Sequence, residues 1–397
     1  MKILVLSFYF RPDLSAGSFR ATALVSTLRS LVPAGSQIDV ITTLPNRYHS
    51  YSANAALDET HDGLWISRIS LPEHHGGMLD QSKAYIPYFY GALKRAVGRE
   101  YDIVFVTSGR LMSTVLGALI SRRSNAKLYL DIRDIFVDTI RDVLPRRISW
   151  AIAPVFSVFE KWAINQADKV NLVSFGFSEY FVRRYPRQRF SYFTNGIDEE
   201  FMTAAPTAVS APRKRAGNVP IEVVYAGNLG EGQGLHAIVP ALAREMGPRV
   251  HFKIVGDGAR KQALETSLAE NCVTNVALLP PMNREALLET YRSADILFLH
   301  LNDYEAFKKV LPSKLFEYAA LGKPVWAGVS GYAAKFVASE ISNAAVFYPC
   351  DIAGAVRAFN TLNIQDTPRN DFLAKYSRSK ISLELAEDIL NLARGET

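Results

Sequence analysis

The sequence predicts an α/β protein of two doubly wound parallel-sheet domains facing a cleft, and three observations carry that prediction. Short apolar, β-branched runs alternate with longer amphipathic stretches from the first residue. The alternation breaks off at Ala204–Pro220 and then begins again. The strand-like runs are continuously apolar, as strands are when helices cover both faces of a parallel sheet. A length of 397 residues suits two domains, and 48% hydrophobic against 21% charged residues let each bury a core.

In the first half, Ile3–Phe8, Ile38–Thr42, Ile103–Thr107, Lys127–Asp131 and Val170–Ser174 read as strands, with helices at Ser18–Leu31 and Pro87–Val97. Ala204–Pro220, rich in Ala, Pro, Ser, Arg and Gly and without periodicity, reads as a linker or mobile loop. Beyond it the strands are Ile221–Ala226, Val250–Val255, Val276–Leu279, Ile296–Leu299 and Pro324–Ala327, with helices at Leu235–Glu245 and Lys261–Glu270. The result is a Rossmann-like domain over 1–203, a linker over 204–220, and a second Rossmann-like domain over 221–375. A C-terminal helix over 376–397 remains, placed to pack back on the first domain. Open parallel sheets bind ligands beyond the carboxyl ends of their strands, so chemistry is expected just after each strand.

Composition narrows the classes. Two cysteines, Cys272 and Cys350, stand far apart and in no C-x-x-C spacing, against a disulfide framework or zinc site and in keeping with a reducing cytosol. The opening run Met1–Phe10, followed by Arg11-Pro12-Asp13, superficially resembles a signal peptide, but it is short and no small-residue cleavage site follows promptly, so it reads as a buried strand. No uncharged apolar run approaches the roughly 18–20 residues of a membrane-spanning helix. The longest candidate, Ser149–Phe159, contains Pro154. Net charge is +6 and uneven: 24 basic against 19 acidic side chains before residue 201, and 21 against 20 after it. The excess gathers at Arg141, Arg146 and Arg147, and at Arg183, Arg184, Arg187 and Arg189. A solvated surface, attraction to anionic lipid and attraction to nucleic acid all fit such clusters, but no nucleic-acid module accompanies them.

Three stretches can carry chemistry. Gly227-Asn228-Leu229-Gly230-Glu231-Gly232-Gln233-Gly234 follows a strand and precedes a helix, so its amides can approach an anion at a helix N-terminus. It is neither a Walker A loop nor a G-x-G-x-x-G turn, and a ligand-free loop stays open as a reading. Gly256-Asp257-Gly258, with Arg260 behind it, is a turn first and a binding element second. Lys309-Val310-Leu311-Pro312-Ser313-Lys314-Leu315-Phe316-Glu317-Tyr318 is the strongest, with Pro312-Ser313 reading as a helix start and Gly322 as its stop. Ser313 and Lys314 would stand at the helix mouth, where amides and an ammonium meet a diphosphate. Glu317, one turn on and on the same face, can accept both hydroxyls of a ribose. Its spacing of four from Ser313 does not suit a capping box, though an unspecialised surface Glu remains an alternative.

These stretches resemble the donor-binding domain of retaining GT-B glycosyltransferases of family four. Asn195-Gly196-Ile197-Asp198 is similar to that family's Asn-Gly-Val-Asp segment, and Leu6–Pro12 with Ala16-Gly17-Ser18 resemble its first strand and glycine loop. Asp131-Ile132-Arg133-Asp134 and Ala226–Gly234 resemble the branch that builds bacterial O-antigen and capsule repeat units, some of whose members are assigned to N-acetylfucosamine transfer. The resemblance spans nearly the whole chain. It implies a UDP-sugar whose ribose meets Glu317 and whose diphosphate meets Ser313, Lys314 and the Gly227–Gly234 loop. The base would lie near Gly256–Gly258 and Pro281-Met282. The donor set is thus Gly17, Asn228, Gly230, Gln233, Gly234, Asp257, Lys309, Ser313 and Glu317, with Arg133 and Lys314 as the catalytic pair. The acceptor, a polyprenyl-diphosphate-linked saccharide, would lie against the first domain near the Gly17 loop. The enzyme would work as a peripheral protein on the inner face of the cell membrane, without nucleic acid.

The chain departs from that family at several positions. Asn228 and Gln233 stand where the family carries an Arg and a Lys, so Lys314, Lys309, Arg260 or amides would have to compensate. Lys309 replaces the first of two paired glutamates, and Arg133 replaces a histidine. Arginine cannot act as a general base at pH 7 but can stabilise negative charge or hold an acceptor phosphate; a salt bridge to Asp131 or Asp134 is the structural alternative. The chemistry expected is electrostatic stabilisation of a departing diphosphate. Retention of configuration comes from the resemblance, with a phosphate oxygen taking the acceptor's proton. No Asp-x-Asp pair offers a metal clamp, so no metal and no cofactor beyond the donor are expected. A non-hydrolysing sugar-nucleotide 2-epimerase and a non-catalytic nucleotide-sugar-binding protein are the competing readings. Ile148–Ile164, with Trp150, Val155, Phe156, Phe159 and Trp162, is either a core helix or an interfacial face.

Overall fold

The computed structural model describes residues 1–45, 54–72, 78–143, 146–211 and 219–396. Two compact units result, one of Met1–Gly196 with Arg378–Thr397 and the other of Ile197–Ser377.

In the first unit the elements run β1 (Lys2–Ser7), α1 (Ala16–Leu31), β2 (Gln37–Thr43), β3 (Asp58–His61), β4 (Leu64–Ile69) and α2 (Met78–Ala96). They continue with β5 (Ile103–Ser108), α3 (Leu111–Ser124), β6 (Lys127–Ile132), α4 (Phe136–Val143) and α5 (Arg146–Gln166). β7 (Lys169–Leu172), α6 (Ser178–Arg184) and β8 (Phe190–Ser191) complete the run. The sheet order is β3-β4-β2-β1-β5-β6-β7-β8, parallel throughout except for β3 on β4. Of the central strands, β5 is buried throughout and β1 from Ile3 onward, as continuous apolar runs require.

The second unit holds α7 (Glu199–Thr203), β9 (Ile221–Asn228), α8 (Leu235–Met246), β10 (Val250–Asp257), α9 (Lys261–Glu270), β11 (Val276–Leu279) and α10 (Arg284–Ser293). After these come β12 (Ile296–His300), α11 (Lys314–Ala320), β13 (Val325–Gly328), α12 (Gly331–Glu340), β14 (Ala344–Phe347), α13 (Ile352–Phe359) and α14 (Asn370–Tyr376). Its strands form one parallel sheet, β11-β10-β9-β12-β13-β14.

The last helix, α15 (Arg378–Arg394), belongs to the first unit. Leu385, Ala386, Ile389 and Leu390 join Ile3, Val5, Ala21 and Leu24 in one core. The units therefore divide after residues 196 and 377, whereas the sequence reading breaks at 203 and 375. Phe201, on α7, accounts for the first difference, because it packs into the core of the second unit. The early part of the expected linker is also tied down there, with the Ser210 amide donating to the Asp366 carbonyl at 3.1 Å. Residues 212–218 of that linker lie outside the described residues, as do the side chains of Arg141 and Arg146.

Both sheets have a topological switch. In the first, β1 lies between β2 and β5; in the second, β9 lies between β10 and β12. Successive crossovers leave in opposite directions at such a strand, which opens a crevice at its carboxyl end. The Gly17 loop follows β1 and the Gly227–Gly234 loop follows β9, so both glycine stretches stand where a ligand site is built.

Candidate functional site

On the second unit, Gly227 and Asn228 end β9, a short turn spans Glu231–Gln233, and Gly234 precedes α8. Asn228 and Gln233 meet: the Asn228 amide donates to Gln233 Oε1 at 2.8 Å, and the Gly230 N–H reaches the same oxygen at 3.3 Å. These two side chains therefore staple the loop. Tyr225 Oη donates to the Asn228 carbonyl at 2.7 Å and fixes the end of β9.

Lys314, at the start of α11, reaches this loop. A Cβ on Gly227 would lie 2.2 Å from Lys314 Nζ, and Gly227 holds φ +144°, which side-chain-bearing residues rarely adopt. Glycine is required there both for the backbone and for the close approach of the ammonium. The same Nζ stands 5.4 Å from the centre of the Tyr225 ring. Ser313 precedes α11 in helical conformation and its side chain makes no capping hydrogen bond.

Glu317 follows one turn on, half-buried. Burial disfavours the charge of the neighbouring Arg284, but Asp198, Glu317 and Glu200 together hold its guanidinium above the usual arginine range. Arg284 donates to Asp198 at 2.7 Å, so Asp198 of the Asn195–Asp198 segment anchors the chain entering this unit.

Asp257 ends β10, pairs in register with Asn228, and accepts the Gly258 N–H on its side chain at 2.8 Å. Lys309 is half-buried in the segment before α11, its N–H closing a turn on Ala306 at 3.3 Å. Arg260, expected as a compensating cation, is committed elsewhere: its guanidinium donates to Glu231, which also accepts from Tyr304 Oη at 2.6 Å. Burial opposes ionisation of Glu231, yet Tyr304 and Arg260 hold its carboxyl below the usual range.

His300 escaped the sequence reading. It ends β12, fully buried, with Nδ1 2.8 Å from the Gln233 carbonyl and Nε2 3.0 Å from the Cys350 N–H. A carbonyl can only accept and an amide can only donate, so Nδ1 carries the proton and the ring is neutral. Desolvation pushes its pKa down to about 4. The imidazole ties the glycine loop to the turn after β14. Its place at the carboxyl end of a strand was the available signal.

On the first unit, Arg133 follows β6 and Gly17 is the second residue of α1. A Cβ on Gly17 would lie 2.3 Å from Arg133 Nη1, so the guanidinium touches the helix start directly. Arg133 pairs with neither Asp131 nor Asp134 among the described residues, and its buried Nε has no hydrogen-bond partner. Asp131 is taken instead by Arg20, at 2.8 and 2.9 Å, and by the Asn171 amide at 2.7 Å. Burial alone would raise the Asp131 carboxyl; Arg20 and Asn171 override it and hold it low. Arg20 also donates to the carbonyls of Phe193 and Thr194, fixing the chain just before Asn195. Burial lowers the Arg133 guanidinium, opposed by Asp131 and reinforced by Arg20.

Residues 21–196 match the family model for a glycosyl transferase 4-like domain, and residues 212–380 match that for glycosyl transferases group 1. A stretch of 211 residues is 26% identical to WcaI of Escherichia coli K12, a protein named for a glycosyl transferase of colanic acid biosynthesis. That alignment covers 51% of each protein, so the chain spans about half the length of the curated relative it matches. The sucrose-phosphate synthase of Thermosynechococcus elongatus superposes with a TM-score of 0.74 at 15% identity, over 100% of both chains. Alr3699/HepE of Anabaena, solved with UDP-glucose, superposes at 0.66 and 16% identity over 98% of this chain and 100% of that one. At such identities the likeness is one of fold.

Proposed function

The chain belongs to the GT-B glycosyltransferases, and from that premise we propose that it moves a sugar from a UDP-sugar to a lipid-linked saccharide. The proposed setting is the cytoplasmic face of the cell membrane, in the building of an O-antigen or capsular polysaccharide. The observation that carries the reading is the meeting of the Gly227 loop with the Lys314 ammonium, one helical turn before Glu317. WcaI, named for colanic acid biosynthesis, and HepE, solved with UDP-glucose, support the polysaccharide setting and the nucleotide.

Each residue then has a role. Glu317 accepts the ribose hydroxyls, and Lys314 with the amides of Gly230–Gly234 and the Ser313 hydroxyl neutralises the diphosphate. The field is fixed before the reaction begins, which is where electrostatic stabilisation of a departing anion is largest. Asn228 and Gln233 shape the loop by their mutual hydrogen bond, so the cation that meets its start at Gly227 is Lys314, with Lys309 nearby in sequence. Asp257 holds the turn beside the loop. Arg133, against Gly17 on the first unit, offers a guanidinium to an acceptor phosphate. The anomeric configuration is retained, a donor phosphate oxygen takes the acceptor's proton, and no metal or cofactor is needed.

Incubation with a panel of UDP-sugars, with and without a polyprenyl-diphosphate-linked saccharide, tests the reading. UDP release that requires the acceptor supports transfer. Turnover of the donor alone would identify an epimerase, and binding with no turnover under either condition would identify a non-catalytic binder.

A further inference from the structure

Away from the crevice at the carboxyl ends of its strands, the first unit presents two further surfaces. One is the outer side of α5: the helix buries Ala153, Ala163 and Ile164 and leaves Trp150 83% exposed, so it is a core helix on one side only. The other is a cavity of about 550 Å³ at the amino ends of β1, β2 and β4, bordered by the chain leaving α2 over 98–101.

Strand register builds the floor of this cavity. Lys2 stands opposite Gln37, and Trp65 opposite both Asp39 and Thr60. Paired residues point to the same side of a sheet, as do Gln37 and Asp39 two positions apart, so all of them share one face. Lys2 begins β1 and Ser7 ends it. At about 3.3 Å per residue, about 17 Å of strand separates this floor from the start of the Gly17 loop. The cavity is therefore no part of that crevice.

Asp39 organises the lining. It is 1% exposed, and its carboxylate accepts from the Gln37 amide at 2.8 Å, from Arg99 at 2.8 Å and from Tyr101 Oη at 2.9 Å. Arg99 also lies 4.0 Å over the Trp65 ring. A buried carboxylate with three donors is satisfied, and the side chains that satisfy it are held in place. The Thr60 hydroxyl, the Lys2 ammonium and the Glu100 carboxylate complete the wall.

Charge and hydrogen-bonding type specify the ligand. Lys2 and Arg99 are balanced by Asp39 and Glu100, so the lining has no net charge to attract a phosphate or a metal ion. Its wall sets acceptors beside donors, and a hydroxyl matches both because it donates and accepts. An uncharged ligand rich in hydroxyls, with C–H groups to lay against the Trp65–Arg99 stack, is a sugar.

We propose that this cavity is a second saccharide site, which holds a neutral sugar unit against Trp65 through Thr60, Gln37, Lys2 and Glu100. On an enzyme that builds a glycan, it retains sugar already assembled at a distance from the reacting ends. That purpose rests on the proposed function; the binding itself requires no donor.

The experiment is titration of the full chain, labelled with nitrogen-15, with cellobiose, lactose and N,N′-diacetylchitobiose. The readout is the Trp65 indole N–H, assigned with Trp65→Phe. At least one disaccharide should shift this resonance saturably while those of Trp150, Trp162 and Trp326 stay in place. Thr60 and Glu100 are exposed, so Thr60→Ala and Glu100→Gln keep wild-type circular dichroism and UDP-sugar binding. Each should weaken the disaccharide about fivefold, the effect of one lost hydrogen bond. No saturable shift with any of the three sugars, an affinity untouched by both variants, or reversal of the shift by UDP would overturn the proposal. So would inorganic phosphate shifting Trp65 at lower concentration than any disaccharide, because the cavity would then be an anion site. Disaccharide binding without any UDP-sugar binding would sink the proposed transferase instead and leave the saccharide site standing.

Discussion

Replacing His300 by Phe tests whether a neutral buried imidazole holds the glycine loop in place. Phenylalanine keeps the ring between Phe298 and Phe347, whose centroids lie 6.4 and 6.2 Å away, and removes both polar nitrogens. The Gln233 carbonyl and the Cys350 N–H then lose their partners. Each abandoned buried group costs about 1–3 kcal/mol, so about 2–6 kcal/mol of stability should disappear. The wild-type protein carries a matching pH signature. The folded pKa of about 4 lies below the ordinary value of 6.5, so the unfolded chain binds the proton more readily. The contribution is therefore complete above pH 6.5 and lost as pH falls through 4, amounting to about 3 kcal/mol. Urea titrations of both proteins at pH 7 and pH 4.5 measure the difference, and imidazole resonances assigned with the variant give the pKa directly. A His300 pKa near 6.5, or a variant as stable as wild type at pH 7, would refute the reasoning.

Gly227→Ala should cost about 1–3 kcal/mol for forcing a side chain into φ +144°, and also push Lys314 off the loop. Thermal unfolding should shift down by several degrees, and calorimetry should show UDP-sugar affinity falling by at least tenfold; unchanged affinity would separate Lys314 from the donor. Arg20→Ala leaves Asp131 buried and charged, with a loss of about 3–5 kcal/mol in denaturant titration. A loss below 1 kcal/mol would mean that Asn171 alone satisfies the carboxylate.

Both parallel sheets were legible because their strands are unbroken apolar runs, and so was the C-terminal helix returning to the first unit. The β3–β4 hairpin was missed, since Asp58-Glu59-Thr60-His61 is a polar edge strand without a hydrophobic signature. Ser313 marked the start of α11 correctly, though its side chain does not cap it. Gly227 at a strand end and Lys314 at a helix start were legible as positions, and the fold brings these two together. The Arg20–Asp131–Asn171 cluster was not, because its members are separated by 111 and 40 positions and only the fold makes them neighbours. The pairing of Arg260 with Glu231 was equally invisible, since a surface arginine and a loop glutamate carry no mark of each other. The outer face of α5 needed coordinates as well: an aromatic-rich helix reads the same from sequence whether its second side meets a core or solvent.

The central claim is that the second unit holds a nucleotide sugar through the Gly227 loop, Lys314 and Glu317. Isothermal calorimetry of UDP-sugars against wild type and Glu317→Ala tests it most directly. Hydrogen bonds to a charged acceptor contribute about 1.5–3 kcal/mol, so the variant should bind one UDP-sugar roughly 10- to 100-fold more weakly than wild type. Equal affinity in the two proteins, or no binding of any UDP-sugar to wild type, would contradict the assignment of the donor site.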